Sequence, residues 1–414
     1  MEMASKAKPI PPLVTKENSP TGFRPRIQSL DILRGFVMIV MALDHTRDYF
    51  HAGAQHFDPT DLSQTTTILF LTRWITHLCA PTFMFLAGTA AYLQGRRGRT
   101  NVDVAHFLIK RGIWLVLLQV TWVLCLGWKM NFSYDVIPLE VIWALGASMI
   151  VLSGLIFLPW RLMFLSSLAV VALHNALDGI GPARFGSLGW LWKVLHVPDA
   201  IQLSNHVVIQ SYYPLIPWAA VMALGYCFGR VIDMAPDRRR RTLVRLGLAM
   251  ITGFVFLRLV NWYGDMQPWS TQTSPSLTIL SFLNCTKYPP SLLFLLMTLG
   301  PAILILGCLD RIQLSTSNPL IVFGRVPLFY YLLHLPLIHG LAILLGWARF
   351  GRLDFLLDTP PSLGESSGGF PPDYGYNLAI VYVLWLAIII ALYPACHWFA
   401  VLKQRNRSAT LSYL

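Results

Sequence analysis

The feature that most constrains this chain is a succession of apolar segments, each about as long as one membrane crossing. A helix needs about twenty apolar residues to cross a hydrocarbon core roughly 30 Å thick. Only 13% of the residues are charged, whereas a soluble domain carries about a quarter. The sequence therefore predicts an all-α integral membrane protein, a bundle of about ten transmembrane helices. The predicted spans are 29–50, 67–94, 105–127, 137–158, 160–178, 212–232, 242–262, 289–309, 318–346 and 376–401.

Basic residues are concentrated in the loops on one side of this predicted bundle, which is typical of the cytoplasmic side. They are Arg96, Arg97, Arg99, Lys110, Arg111, Arg161, Arg238, Arg239, Arg240, Arg241, Arg311, Lys403, Arg405 and Arg407. Both termini are therefore predicted to be cytoplasmic, and the net charge of +12 reflects topology rather than nucleic-acid binding. The chain is expected to form a single transmembrane domain at 28–403 between cytoplasmic tails at 1–27 and 404–414, the first of them disordered.

The first predicted span carries charged groups, and a charge inside a span costs a few kcal/mol on insertion scales and marks a functional site by default. Asp31 and Arg34 are spaced as helical neighbours, so they form either an ion pair or a contact to a cofactor phosphate. Asp44 and His45 follow further along the span, and His45, about three turns after Arg34, lies on roughly the same face of the helix. This pattern predicts a polar stripe that faces the interior of the bundle.

Histidines cluster where the first span ends and the second begins, on the predicted outer side. His51 and His56 follow His45 along the chain, and His77 lies about ten residues into the second span. Histidine exchanges protons near neutral pH, and a neighbouring carboxylate such as Asp44 can orient it. The candidate catalytic residues are therefore His56, His45, Asp44 and His51. Four other histidines, His174, His196, His206 and His339, are interpreted as structural.

Further polar residues are candidates for binding a substrate or cofactor. Lys287 lies in a proline-rich segment before span eight, where it either holds an anionic group or extends to the interface. Arg325 and His334 lie inside span nine. With the residues above, the predicted binding set is Asp31, Arg34, His77, Lys287, Arg325 and His334.

Neither a metal site nor a disulfide framework is expected. The six cysteines are scattered without CxxC spacing and mostly fall inside predicted spans. His51 and His56 with Asp58 or Asp61 offer nitrogen and oxygen ligands, but their spacing matches no compact metal motif.

Several segments together resemble bacterial members of the heparan-α-glucosaminide N-acetyltransferase catalytic-domain family. They are Ser29-Leu-Asp-Ile-Leu-Arg-Gly35, Asp44-His-Thr-Arg-Asp-Tyr-Phe-His51, Ala80-Pro-Thr-Phe-Met-Phe-Leu-Ala-Gly88, Tyr213-Pro-Leu-Ile-Pro-Trp218 and Gly324-Arg-Val-Pro-Leu-Phe-Tyr-Tyr-Leu-Leu-His334. The resemblance extends over nearly the whole chain after residue 27. The spacing from Arg34 to His45 is also similar to the Arg-x10-His signature of the acyltransferase-3 membrane enzymes.

The resemblance implies transfer of an acyl group, typically acetyl from cytosolic acetyl-CoA, to an amine or hydroxyl of a sugar or glycan across a bacterial inner membrane. The lysosomal family member uses a histidine just after its first family helix, and counting from Arg34-Gly35 places His56 there, or His51 if a gap intervenes. That enzyme has an asparagine where this chain has His45. Either His56 or His45 would then act as general base or transient acyl carrier.

Three points stay open from the sequence. The donor to a developing oxyanion is Thr46, Arg47 or a backbone N–H at a broken helix end. Arginines near 96–99 or 238–241 either bind the CoA phosphates or only set the orientation of the protein in the membrane. The main alternative to an enzyme is a proton-coupled transporter or permease for a small polar solute. A purely structural role is the third interpretation. The sequence also allows a homodimer.

Overall fold

The computed structural model describes residues 27–96, 98–357 and 369–406. Most of both predicted tails, and Arg97 and Arg407 of the basic set, lie outside the described residues. The helices are α1 Gln28–Phe50, α2 Thr67–Thr76, α3 Cys79–Gly95, α4 Asn101–Leu118, α5 Val141–Leu155, α6 Trp160–Leu173, α7 Gly189–Leu195, α8 Leu215–Ile232, α9 Pro236–Val260, α10 Pro275–Leu283, α11 Leu292–Leu309, α12 Pro319–Arg325, α13 Pro327–Phe350 and α14 Leu378–Arg405. The strands are β1 Val136–Leu139, β2 Ala200–Ser204 and β3 Val207–Ser211.

Eight helical segments in the described part of the chain are long and apolar enough to cross a membrane, and each overlaps one predicted span. They are Thr67–Gly95, Asn101–Trp128, Trp160–Leu177, Leu215–Ile232, Pro236–Val260, Leu292–Leu309, Pro327–Phe350 and Leu378–Arg405. The protein is thus a mostly helical, multi-pass membrane protein, as predicted.

The two other predicted spans do not meet the same criterion. α1 is 23 residues long but carries five charged residues, Asp31, Arg34, Asp44, Arg47 and Asp48. Span 137–158 is divided between strand β1 and helix α5, which has only 15 residues. The count of ten and the cytoplasmic termini therefore remain predictions.

A small sheet, which the sequence analysis did not predict, lies between the helices. Its order is β1-β3-β2, with β1 parallel and β2 antiparallel to β3. The strands have only four or five residues. That is too few for an alternation of apolar and polar residues to be recognised among the apolar segments around them.

Helix α1 packs against α12 at backbone distance. A Cβ added at Gly35 would lie 1.9 Å from the carbonyl oxygen of Leu320, and one added at Gly324 would lie 1.8 Å from that of Asp31. Small residues allow such close approach in membrane bundles. The contact keeps α1 inside the bundle, where its charges can find protein partners.

Predicted span nine is two helices rather than one. α12 ends at Arg325, Val326 has φ −128° and ψ 48°, and Pro327 begins α13. Proline lacks an N–H and suits the first position of a helix, so it starts a new helix here. Irregular backbone at this depth requires protein or a cavity around it.

Candidate active site

A large cavity follows α1 along most of its length. Its volume is about 2320 Å³, and the α1 residues on its wall run from Gln28 to Asp48. At a rise of 1.5 Å per residue these positions span about 30 Å, comparable to a hydrocarbon core. The cavity therefore connects the two ends of the bundle.

One end of the cavity, here called the basic end, is rich in cations. Its basic wall residues are Arg34, Arg96, Arg99, Arg111, Arg239 and Lys403. Three acidic wall residues pair with some of them: Asp31 lies 3.6 Å from Arg34, Asp233 lies 2.7 Å from Arg96, and Asp310 accepts from Arg239 Nε at 2.9 and 3.1 Å. The Asp31–Arg34 pair is the local ion pair that the spacing suggested. With Arg325, which also lines this half of the cavity, seven cations against three carboxylates leave this end positive.

The opposite end, here called the histidine end, is built on a buried charge cluster. Arg47 Nη2 lies 3.0 Å from Asp44 and 2.5 Å from Asp48, and Arg73 of α2 pairs with the second oxygen of Asp44. All four side chains are at most 13% exposed. Burial removes water from these charges, so the cluster depends on each charge keeping its partner.

His45 lies at this cluster and on the cavity wall. Its Nδ1 is 3.7 Å from Asp48, its ring meets Trp128 edge-on at 5.0 Å between centroids, and the ring of His334 is 5.3 Å away. Nδ1 makes no hydrogen bond within the described residues, so the imidazole is positioned by ring packing and by the nearby carboxylate, and it faces the cavity. A carboxylate beside a held imidazole can orient it and stabilise its protonated form.

The other predicted histidines occupy different positions. His56 is exposed on the cavity wall, next to Asp58 on the same wall. Burial alone would raise the pKa of Asp58, but the Arg73 guanidinium and hydrogen bonds from Thr60 outweigh it and hold that pKa below its ordinary value.

His51 is occupied with local structure. Its Nδ1 accepts a 3.1 Å hydrogen bond from the backbone N–H of Gly53, which caps the short turn after α1. Burial and the charge of Arg47 lower the pKa of His51, which keeps the ring neutral and able to accept. It is not among the wall residues of the cavity.

His77 and His334, predicted to contact a substrate or cofactor, are buried behind the wall. His77 follows α2 and packs on Phe294 at 5.3 Å between ring centroids. His334 Nδ1 lies 2.7 Å from the carbonyl oxygen of Tyr331. Since a carbonyl only accepts, we assign the proton to Nδ1, which leaves Nε2 as an acceptor.

Lys287 and Arg325 both line the cavity. The Lys287 ammonium lies 4.9 Å from the centre of the Tyr288 ring. Arg325 ends α12 one residue after Gly324, which touches Asp31, so it belongs to the basic half of the cavity.

The sequence analysis missed part of the wall. α4 continues as a ten-residue π-helix, Gln119–Trp128, a rare form that is frequent at functional sites. It supplies Trp128 to the wall. Behind the wall, the amide of Gln119 donates at 3.3 Å to the buried wall residue Glu140. Glu140 and Arg73 are each the only Asp, Glu, Lys or Arg in a predicted span. A lone intramembrane charge was therefore the signal that could have found them.

The histidines interpreted as structural are built into the fold. His174 Nε2 lies 2.9 Å from the Pro290 carbonyl oxygen, His196 Nε2 lies 3.0 Å from Asp178, and His339 contacts two carbonyls. His206 lies in the turn between β2 and β3. Among the described residues no group of three or more His, Cys, Asp or Glu side chains is arranged to hold a metal.

Residues 26–263, more than half of the chain, match the family model described as heparan-alpha-glucosaminide N-acetyltransferase, catalytic. The matched range contains the whole histidine-end cluster, whereas the segment from Gly324 to His334 lies outside it. No protein of curated function matches the chain. The chain belongs to the heparan-α-glucosaminide N-acetyltransferase catalytic-domain family.

Proposed function

We propose that this protein moves an acyl group, most simply acetyl, from cytosolic acyl-CoA to an amine or hydroxyl of a sugar or glycan on the far side of a bacterial inner membrane. The observation that carries the proposal is the continuous cavity, which joins a cationic end to an Asp–His cluster. The family supports a membrane acetyltransferase. The donor, the acceptor and the direction of transfer are our inference.

The basic end suits the phosphate groups of a CoA thioester. Arg99 is exposed there and its guanidinium lies over the Phe107 ring at 5.8 Å, while Arg111 and Lys403 are half-buried on the same wall. Guanidinium groups bind phosphate oxygens strongly and with defined geometry. The predicted orientation puts this end in the cytosol, where CoA thioesters are made. At about 2320 Å³ the cavity exceeds the usual size of a small-ligand site.

The histidine end suits proton removal from an acceptor. Acyl transfer forms a bond from the acceptor nitrogen or oxygen to the carbonyl carbon and breaks the carbon–sulfur bond, whose electron pair leaves with sulfur. The acceptor's proton goes to a histidine. His45 and His56 are both on the wall, and the geometry favours His45 because Asp48 and Trp128 hold its ring.

The test is a transfer assay across a membrane. Purified protein in sealed proteoliposomes would receive radiolabelled acetyl-CoA at the basic end and glucosamine at the histidine end. We expect acetylated glucosamine on the histidine side. His45→Ala should reduce transfer more than His56→Ala, and His206→Ala, in a turn away from the cavity, is the matched control.

The same vesicles test the transporter reading, which a cavity reaching both ends would also suit. Proton-coupled solute uptake without binding or cleavage of acetyl-CoA would contradict the proposed function. Strong loss in His56→Ala with full activity in His45→Ala would keep the function and move the base to His56.

A further inference from the structure

The histidine end contains a buried cation whose hydrogen-bonding capacity is only partly used. Arg47 is 2% exposed in its side chain and lies on the cavity wall. Its Nη2 carries the contacts to Asp44 and Asp48, whereas Nε and Nη1 have no hydrogen-bond partner in the described part of the protein. Buried donors are nearly always satisfied, so these two nitrogens are available to a ligand atom or to a water molecule.

The alternative donors on α1 beside His45 are already engaged. The Thr46 hydroxyl donates to the Ala42 carbonyl at 2.6 Å, and the residue is fully buried off the cavity wall. α1 stays helical through Phe50, so its backbone N–H groups are used within the helix. At the α12–α13 break, the Val326 N–H donates to the Phe323 carbonyl at 3.2 Å.

The two carboxylates also fix the direction of the unused donors. A guanidinium is planar, so anchoring Nη2 between Asp44 and Asp48 sets where the N–H groups of Nε and Nη1 point. Donors oriented before the reaction stabilise developing charge without a reorganisation cost. Arg47 and His45 both line the cavity, and both lie against the carboxylate of Asp48.

We propose that Arg47 is a catalytic residue that donates from Nε or Nη1 to the carbonyl oxygen of the thioester. This inference rests on the proposed function. When the acceptor adds to the carbonyl carbon, the oxygen gains negative charge and the guanidinium stabilises it. The negative charge on the oxygen then re-forms the carbonyl, the carbon–sulfur bond breaks and the thiolate leaves with its electron pair. The histidine base keeps the acceptor's proton.

The test compares Arg47→Lys and Arg47→Ala with the wild type in the vesicle assay. Removing one oxyanion donor lowers kcat by about 10²–10³-fold in other enzymes, and we expect that range for both variants. The KM values for acetyl-CoA and glucosamine should change by less than about threefold, because the contact strengthens only in the transition state. Added guanidinium should restore part of the kcat of Arg47→Ala.

Arg258 provides the matched control for loss of a buried arginine. It is 1% exposed and off the cavity wall, and all its nitrogens donate to carbonyls, including those of Phe282 and Gln267. Arg258→Lys should lower thermal stability without changing kcat per folded molecule, and guanidinium should not raise that kcat.

Two outcomes would overturn the role of Arg47. The first is a wild-type kcat in Arg47→Lys, which keeps the charge and is the variant least disturbing to folding. The second is an effect confined to the KM for glucosamine, which would make Arg47 an acceptor-binding group. A wild-type protein that transfers no acetyl group would instead refute the proposed function itself, so the two failures are distinguishable.

Discussion

Asp48→Asn separates the charge of the carboxylate from its shape at the His45 site. Two unit charges 3.7 Å apart, the distance from His45 Nδ1 to Asp48 Oδ2, interact by about 4 kcal/mol at an effective dielectric constant of about 20. Arg47, 2.5 Å from the same carboxylate, cancels part of this attraction. We therefore expect a loss of about 2 kcal/mol in transition-state stabilisation, or about 30-fold in kcat.

The assay is acetyl transfer to glucosamine at saturating donor, with the folded fraction measured by thermal denaturation. Asp178→Asn is the matched control, because Asp178 and His196 form a second Asp–His pair, 3.0 Å apart and away from the cavity. It should reduce stability and leave kcat per folded molecule unchanged. An Asp48→Asn variant with wild-type kcat, or equal losses in both variants, would refute a catalytic role for the Asp48–His45 pair.

Three further predictions concern packing, donor binding and acid stability. Gly35→Ala should lower the free energy of unfolding by about 1–3 kcal/mol because its Cβ would overlap a carbonyl of α12. Gly340→Ala, inside α13 with nothing within 4 Å of its Cβ, should be neutral or stabilising by up to about 1 kcal/mol in the same denaturation assay. Arg99→Ala should raise the KM for acetyl-CoA about fivefold with kcat unchanged, and an unchanged KM would remove Arg99 from the donor site. Because the pKa of Asp58 is lowered in the folded state, its carboxylate stabilises the fold at neutral pH and that stability is lost as pH falls through the lowered pKa. Melting temperatures of Asp58→Asn should therefore fall less than those of the wild type on acidification below about pH 4.

The parts of the fold that the sequence predicted well depend on local physics. Each of the eight membrane-spanning segments overlaps a predicted one, because the length and apolarity of a span are properties of consecutive residues. The Asp31–Arg34 pair is local in the same sense, since both partners lie on one helix face.

The parts that could not be predicted depend on contacts between distant elements. The pairing of Asp44 with Arg73 joins α1 to α2, and the contact of His45 with Trp128 requires the π-helix to end beside α1. The sequence analysis placed both His77 and His45 in the site, the first as a binding residue and the second as a catalytic one. Only the packing separates them, because His77 is buried against Phe294 whereas His45 reaches the cavity.

The charges that exclude α1 from the set of ordinary spans also explain its position. A helix with five charged residues is costly in lipid, but α1 lies inside the bundle, where Asp31 pairs with Arg34 and Arg47 is held between Asp44 and Asp48. A helix that only anchored the protein would gain nothing from this arrangement. One helix that carries a paired charge at the basic end and the held histidine at the other can form a wall along the whole cavity. Because Arg34 and His45 stand on the same helix, the rise of that helix sets their separation along its axis at about 16 Å.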